Sequence, residues 1–249
     1  MTRLLYAEWI KLRSVRSTYL TFGLTLLISV GGGAAIAASV GTAVKDGHWY
    51  GVYDPTAASF YALPFAQLAL AVGGVLAASS EYATGTIRTS LTAVPRRGRF
   101  LAAKAMVFTL VALAVCETTT FCCFFVAQCL LAANAAHAAL GQPHVAQAII
   151  GTGIDLTLIG LLGLALGSLL RHAVPAIAVI VVLLFIPYEA LDALPTWLQK
   201  YLPTLAWNQI SNVIPAPHAL PAWIGLGLMA AFTAAVLTAA LIRLCTQDA

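Results

Sequence analysis

The chain has 249 residues, of which 61% are hydrophobic and only 9% charged, and its mean hydropathy is +0.90; about a quarter of the residues in a soluble globular protein are charged. A soluble enzyme or binding domain is therefore excluded, and the useful count is of membrane spans, each needing roughly 20 apolar residues to cross ~30 Å of hydrocarbon. The formal net charge of +4 comes from a few basic residues clustered beside apolar runs, a pattern that fits a membrane surface and not nucleic acid.

At the N-terminus, Leu5, Trp9 and Leu12 recur at i, i+4 and i+7, with Lys11, Arg13 and Arg16 on other faces. This predicts an amphipathic helix over Leu4–Arg16 lying in the membrane interface, with Trp9 as its anchor. A solvated basic flank is the plainer alternative. A cleaved signal peptide would also place basic residues before an apolar run, and Ala35–Ser39 loosely matches its cleavage site, but the amphipathic pattern is too structured for a signal's first region.

Uncharged runs then place two spans near Tyr19–Ser39 and Phe60–Ser80. A third, near Ala105–Leu131, contains Glu117, and a fourth, near Ala146–Leu170, contains Asp155. After a short turn at Arg171 and His172 comes a fifth, Ala173–Tyr188, about one bilayer thickness or slightly less, with Pro175 and Pro187 near its ends. The sixth, near Pro221–Ile242, ends at Arg243. The expected fold is all-α, a single transmembrane domain of six spans over 1–249.

Lys and Arg decide orientation. With the N-terminus in the cytoplasm, Arg3, Lys11, Arg13, Arg16, Arg88, Arg96, Arg97, Arg99, Lys104, Arg171 and Arg243 all fall inside, and only Lys45 and Lys200 fall outside. Both termini are therefore expected to be cytoplasmic. The segment 189–220 is then external, and its Trp197, Tyr201 and Trp207 among prolines suit short helices at or dipping into the outer interface, with an ordered loop as the alternative.

No Gly-x-x-x-x-Gly-Lys-Ser/Thr phosphate loop occurs in the sequence, so no ATPase site is expected in this chain. The "GTGID" of Gly151–Asp155 resembles the Gly-x-Gly-Asp of membrane aspartyl proteases, but its spacing is off by one residue. A carboxylate dyad also needs both groups at one depth, whereas Glu117 reads as mid-membrane and Asp155 as nearer the outer end of the next span. A carboxylate at mid-membrane costs at least ~2.5–3.5 kcal/mol, so Glu117 should face the bundle interior or water, either as a pathway residue or as a structural hydrogen-bond partner. Asp155 has the same two readings and leans towards the structural one. Gly160, Gly163 and Gly167 share one helical face and predict close helix packing. The five cysteines and five histidines show no metal-ligand spacing.

Between the second and third spans lies "EYATGTIRTSLTAVPRRGRFLAAK", Glu81–Lys104. Its basic residues suffice to fix topology, while Ile87, Leu91 and Val94 line one side of a helical stretch that could enter a partner's groove. Together with "EWIKLRS" (Glu8–Ser14), this stretch resembles the membrane subunit of ABC-2-type exporters in the form common among actinobacteria. The resemblance implies that the interfacial helix (Leu5, Glu8, Trp9, Leu12) and the coupling segment (Glu81, Thr84, Gly85, Thr86, Ile87, Arg88, Leu91, Val94) dock on a separate ABC ATPase present in two copies. It also implies a second permease subunit, expected to be an identical copy, and ATP and Mg bound at the partner, with no cofactor on this chain. The implied activity is export of a drug, peptide antibiotic or lipid across the plasma membrane. A proton-coupled secondary transporter or an accessory membrane scaffold is the alternative, and the presence or absence of an adjacent ATPase gene discriminates them.

Overall fold

The computed structural model describes residues 2–48, 53–87, 92, 97–133, 135–185, 210–214 and 221–246, and the regular elements among them are helical. Helix α1 (Thr2–Ser14) is separated from α2 (Arg16–Lys45) by Val15 alone, whose extended backbone (φ −89°, ψ 120°) redirects the chain. Midway, α2 loosens into a π-helical stretch, Ile28–Gly32, where successive glycines hold the regular helix weakly. There follow the short α3 (Pro55–Ala58), then α4 (Leu63–Ala83), α5 (Arg97–Leu131), α6 (Val145–Leu170), α7 (Ala173–Leu184) and α8 (Ala222–Thr246).

Five of these helices, α2, α4, α5, α6 and α8, are long and apolar enough to cross a membrane. Helix α7 is equally apolar but has 12 residues, about 18 Å at 1.5 Å per residue. The rest of the expected fifth span, 186–188, and all of 189–220 except 210–214 lie outside the described residues. Helix α5 begins at Arg97 and not at Ala105. The basic run after Pro95 is thus helical from Arg97 onward, since no further proline interrupts it, and Lys104 sits on a helix and not in a loop.

Helix α6 is the hub, packed against α4, α5 and α8. Its glycine face does what the spacing predicts. A Cβ at Gly163 would come within 2.1 Å of the Ala71 carbonyl oxygen, and one at Gly74 of α4 within 2.1 Å of the Gly160 carbonyl oxygen. Only glycine fits at such a backbone-to-backbone contact.

The two ends of the bundle differ in chemistry. At the basic end, Arg97 Nη1 donates to the Leu244 carbonyl at 2.8 Å, Arg243 Nη1 donates to the Leu169 carbonyl, and the Arg171 guanidinium lies 5.7 Å from the Tyr82 ring centre. Arg97 and Arg243 thus satisfy last-turn carbonyls of α8 and α6, where cations also complement the helix dipole. At the opposite end, Asp54 Oδ1 accepts from the Thr56 and Ala57 N–H groups and caps α3. Its Oδ2 accepts from the Val213 and Ile214 N–H groups at 2.8 and 2.9 Å. Gln128 Nε2 donates to the Pro55 carbonyl at 2.7 Å and to Ser59 Oγ at 2.8 Å. The described start of α1 and the described end of α8 are both at the basic end.

Candidate functional site

Two carboxylates and two ammonium groups meet at the basic end. Glu8 and Lys11 come from α1, Glu81 from the last turn of α4 and Lys104 from the second turn of α5. Lys11 Nζ donates to Glu8 Oε1 at 2.8 Å and to Glu81 Oε1 at 3.0 Å. Lys104 Nζ lies 2.9 Å from Glu8 Oε2 and donates to Glu81 Oε1 at 2.9 Å. Both ammonium groups lie over the Phe100 ring, 5.3 and 5.6 Å from its centre, a cation–π arrangement. Glu8, Glu81 and Lys104 are buried, Glu8 to 3% exposure. The quartet is charge-balanced, as a buried ionic group must be. A carboxylate in the last turn of α4 opposes the helix dipole, and the two lysines compensate it.

The quartet fixes how α1 lies. Leu4 and Leu12 pack against the cluster of Ile87, Phe100, Leu101 and Leu244, so the inward face runs Leu4, Glu8, Lys11, Leu12. Trp9 is 43% exposed and shares the outward face with Tyr6 and Ile10. The expected stripe of Leu5, Trp9 and Leu12 is therefore rotated by about one residue, ~100° of helix. The cause is electrostatic: Glu8 finds two lysine partners only when turned inward. Lys11, expected off the apolar stripe, turns in with it.

The coupling segment is described as far as Ile87. The Thr84 N–H donates to the Ser80 carbonyl and the Gly85 N–H to the Tyr82 carbonyl. Gly85 takes φ +69°, the left-handed conformation that ends helices and favours glycine. Thr86 Oγ1 lies 2.9 Å from Thr84 Oγ1. Ile87, expected to face a partner, is instead 4% exposed and packed in the chain's own core. The apolar cluster beneath α1 takes up its side chain, so Ile87 anchors the segment. Arg88, Leu91 and Val94 lie outside the described residues.

Lys11 belongs to α1, outside the spans. Burial lowers its pKa, but the hydrogen bond to Glu8 and the charge and hydrogen bond of Glu81 outweigh burial, so the net shift is upward from the ordinary 10.5. A lysine with a raised folded-state pKa contributes stability that is complete below its unfolded value and is lost as pH climbs through the folded one. Thermal unfolding measured against pH should therefore show a loss of stability above about pH 10.5. In Lys11→Arg, whose guanidinium stays protonated, that loss should move to higher pH.

Glu117 lies 14 residues before the end of α5 at Leu131, and Asp155 lies ten residues after the start of α6 at Val145. A Cβ on Gly153 would meet the Glu117 carboxyl carbon at 2.6 Å, so the Glu117 side chain packs against α6 at Gly153, two residues and about 200° of helix from Asp155. At about 1.5 Å per residue, Asp155 is about 6 Å nearer its helix end than Glu117 is. Their surroundings differ. Asp155 is buried, with Oδ2 accepting from Gln67 Nε2 of α4 at 3.1 Å. Its Oδ1 has no hydrogen-bond partner among the described residues. Glu117 is half-buried.

Among the described residues no group of three His, Cys, Asp or Glu side chains is placed to hold a metal ion, and the five cysteines are free thiols. Sequence reasoning named Glu8 and Glu81 but missed their lysine partners. The one available signal was Lys11 three residues after Glu8 on a helix. No curated protein matches the chain. The family model of the ABC-2 family transporter proteins matches residues 4–187, from α1 through α7 and including all four members of the quartet. A match over well over half of a chain built of long apolar helices shows that this multi-pass membrane protein belongs to the ABC-2 family of transporter proteins, as a permease component.

Proposed function

We propose that the chain is the membrane subunit of an ATP-driven exporter that moves an amphipathic or hydrophobic compound, such as a drug, a peptide antibiotic or a lipid, out of the cell. In this reading it crosses the plasma membrane six times, α7 with the residues after it making the fifth span, and both termini are cytoplasmic. Two copies of a separate ABC ATPase bind ATP and Mg, and a second, identical permease subunit completes the route. Helix α1 lies in the cytoplasmic interface with Tyr6, Trp9 and Ile10 in the headgroup layer.

The observation that carries the reading is the buried quartet. It ties α1 through Glu8 and Lys11 to the residue where the second span ends, Glu81, and to Lys104 on the third. The segment that the ATPase would press upon is bracketed by Glu81 and Lys104, so a displacement of 84–94 reaches α1 and two spans at once. A soft ion pair in water would transmit little, whereas a desolvated one resists separation.

Co-expression with an ABC ATPase subunit from the same genome, followed by purification through a tag on this chain, tests the reading. A complex with two copies of each subunit, whose ATP hydrolysis in nanodiscs rises on addition of an amphiphile and which exports that amphiphile from inverted vesicles, is the expected result. A chain that purifies without an ATPase, or transport driven by a pH gradient in the absence of ATP, would overturn it.

A further inference from the structure

The two halves of α2 pack on different neighbours. The half nearer the basic end, Arg16–Leu27, lies mainly on α4, and the far half, Gly33–Lys45, mainly on α5. Thr21 makes the first contact at backbone distance, since a Cβ at Gly73 would lie 2.1 Å from its Cγ2. In the far half Ala37 and Val40 pack with Ala127 and Leu131 of α5. The changeover falls on the π-helical stretch Ile28–Gly32, which touches both α4 and α5.

That stretch is the soft point of the helix. A π turn closes its hydrogen bonds over five residues where an α turn uses four, so it carries one residue in excess of the helix around it. Gly31, Gly32 and Gly33 run through its end, the residue type that holds a helix least well after proline. Elsewhere in α2 hydroxyls tie the helix to itself: Thr25 Oγ1 donates to the Thr21 carbonyl at 2.8 Å, and Ser39 Oγ to the Ile36 carbonyl at 2.8 Å. Ser29 lies between them and is fully buried, yet its hydroxyl has no hydrogen-bond partner among the described residues.

A side chain of α5 holds the stretch in place. Cys123 Sγ lies 3.1 Å from the Ser29 carbonyl oxygen and 2.9 Å from the Ser59 carbonyl oxygen. A thiol has one weakly donated proton, so the two carbonyls divide it. Gly33 passes so near that a Cβ there would lie 2.8 Å from Cys123 Sγ. Gly31, by contrast, is exposed, and a Cβ on it would meet nothing within 4 Å.

The basic-end half also has somewhere to go. Beyond the contact of Thr21 with Gly73, a cavity of about 340 Å³ separates Ser17 and Thr18 of α2 from Leu76, Ala77 and Ser80 of α4. Val15 alone joins this half to α1, so a displacement of α1 bears directly on it.

We infer that Ile28–Gly32 is a hinge on which the basic-end half of the first span tilts into this cavity while the far half stays fixed on α5, and that the Cys123 thiol is the tether that limits the tilt. Bistable or weakly held elements of this kind are what convert a small displacement at one end of a bundle into a change at mid-depth. The hinge belongs to this chain alone, so failure of ATPase association would leave it standing.

Pulsed electron resonance on the full-length chain in nanodiscs tests it. The exposed Cys122, Cys129 and Cys245 are changed to serine, and the buried Cys116 and Cys123 are kept. Spin labels on Leu20→Cys and Leu110→Cys report the basic-end half against α5, and labels on Ala35→Cys and Phe125→Cys report the far half; all four positions are exposed. A kink of about 20° acting over the residues from Leu20 to Ile28, a lever of about 12 Å, moves Leu20 by about 4 Å. The first distance distribution should be broader than the second by about that amount. Deletion of Gly31 removes the excess residue and leaves both packed faces in register, so it should narrow the first distribution to the width of the second. Gly31→Ala, which fits the open space and strengthens the helix, should narrow it in part and decides the matter if the deletion variant does not fold. Cys123→Ala should broaden it. Equal widths for the two pairs, or a first distribution left unchanged in whichever Gly31 variants fold, would overturn the hinge, and an unchanged width in Cys123→Ala would overturn the tether.

Discussion

Lys104→Gln is expected to destabilise the folded chain by about 3–5 kcal/mol, the cost of leaving a buried charge uncompensated, and to abolish transport with it. Lys104 is buried and touches both carboxylates, so its loss leaves Glu8 and Glu81 with Lys11 alone, a net negative charge in a desolvated site. The companion variant decides whether charge balance is the cause. Glu81→Gln combined with Lys104→Gln removes one charge of each sign and leaves Glu8 paired with Lys11 at 2.8 Å. If balance is what matters, the double variant should be more stable than Lys104→Gln by about 1–3 kcal/mol, the coupling expected within one ionic network. Thermal unfolding of the purified variants in one detergent reads this directly. Equal stabilities for the single and double variants would show that Lys104 acts through packing on Phe100 and not through charge.

Such a network shows how far sequence reasoning reaches in a membrane chain. Apolar run lengths placed α2, α4, α5, α6 and α8, because hydrocarbon thickness imposes a length that no other context relaxes. The glycine face of α6 was legible for a similar reason, since few residues other than glycine permit backbones to touch at Gly163 and Ala71. The rotation of α1 was not legible. Leu5, Trp9 and Leu12 make a plausible apolar stripe, yet Glu8 turns inward because Glu81 and Lys104, remote in sequence, arrive beside it. Periodicity within one helix holds no information about partners on two others. The start of α5 at Arg97 was not legible for a related reason: apolar run length marks only the span from Ala105, whereas the helix continues through Lys104, whose charge is compensated by Glu8 and Glu81. Ile87 was assigned outward on local amphipathicity, and the cluster with Phe100 and Leu244 that buries it becomes visible only once the end of α8 is in place.

Gly153→Ala is expected to leave the fold nearly intact and still cut transport about tenfold or more, the scale on which misplacing a working group by an ångström is felt. The added Cβ would lie 2.6 Å from the Glu117 carboxyl carbon. That carboxyl is the far end of a flexible side chain, so it swings aside at about 1 kcal/mol of rotamer strain, and thermal stability should barely move. The reason for expecting an effect on transport is the position of Glu117, half-buried midway along α5. A carboxyl at that depth is tolerated where it faces protein or a water-filled route, and the expected pathway role of Glu117 is the second of these. Glu117→Gln should then reproduce the transport defect of Gly153→Ala. In a Glu117→Ala background no carboxyl remains to displace, so adding Gly153→Ala should change transport no further. Additive losses in that pair would place the effect of Gly153→Ala on helix packing between α5 and α6. Normal transport by both Gly153→Ala and Glu117→Leu would remove Glu117 from the route altogether, since neither the position of its carboxyl nor its presence would then matter to the cargo.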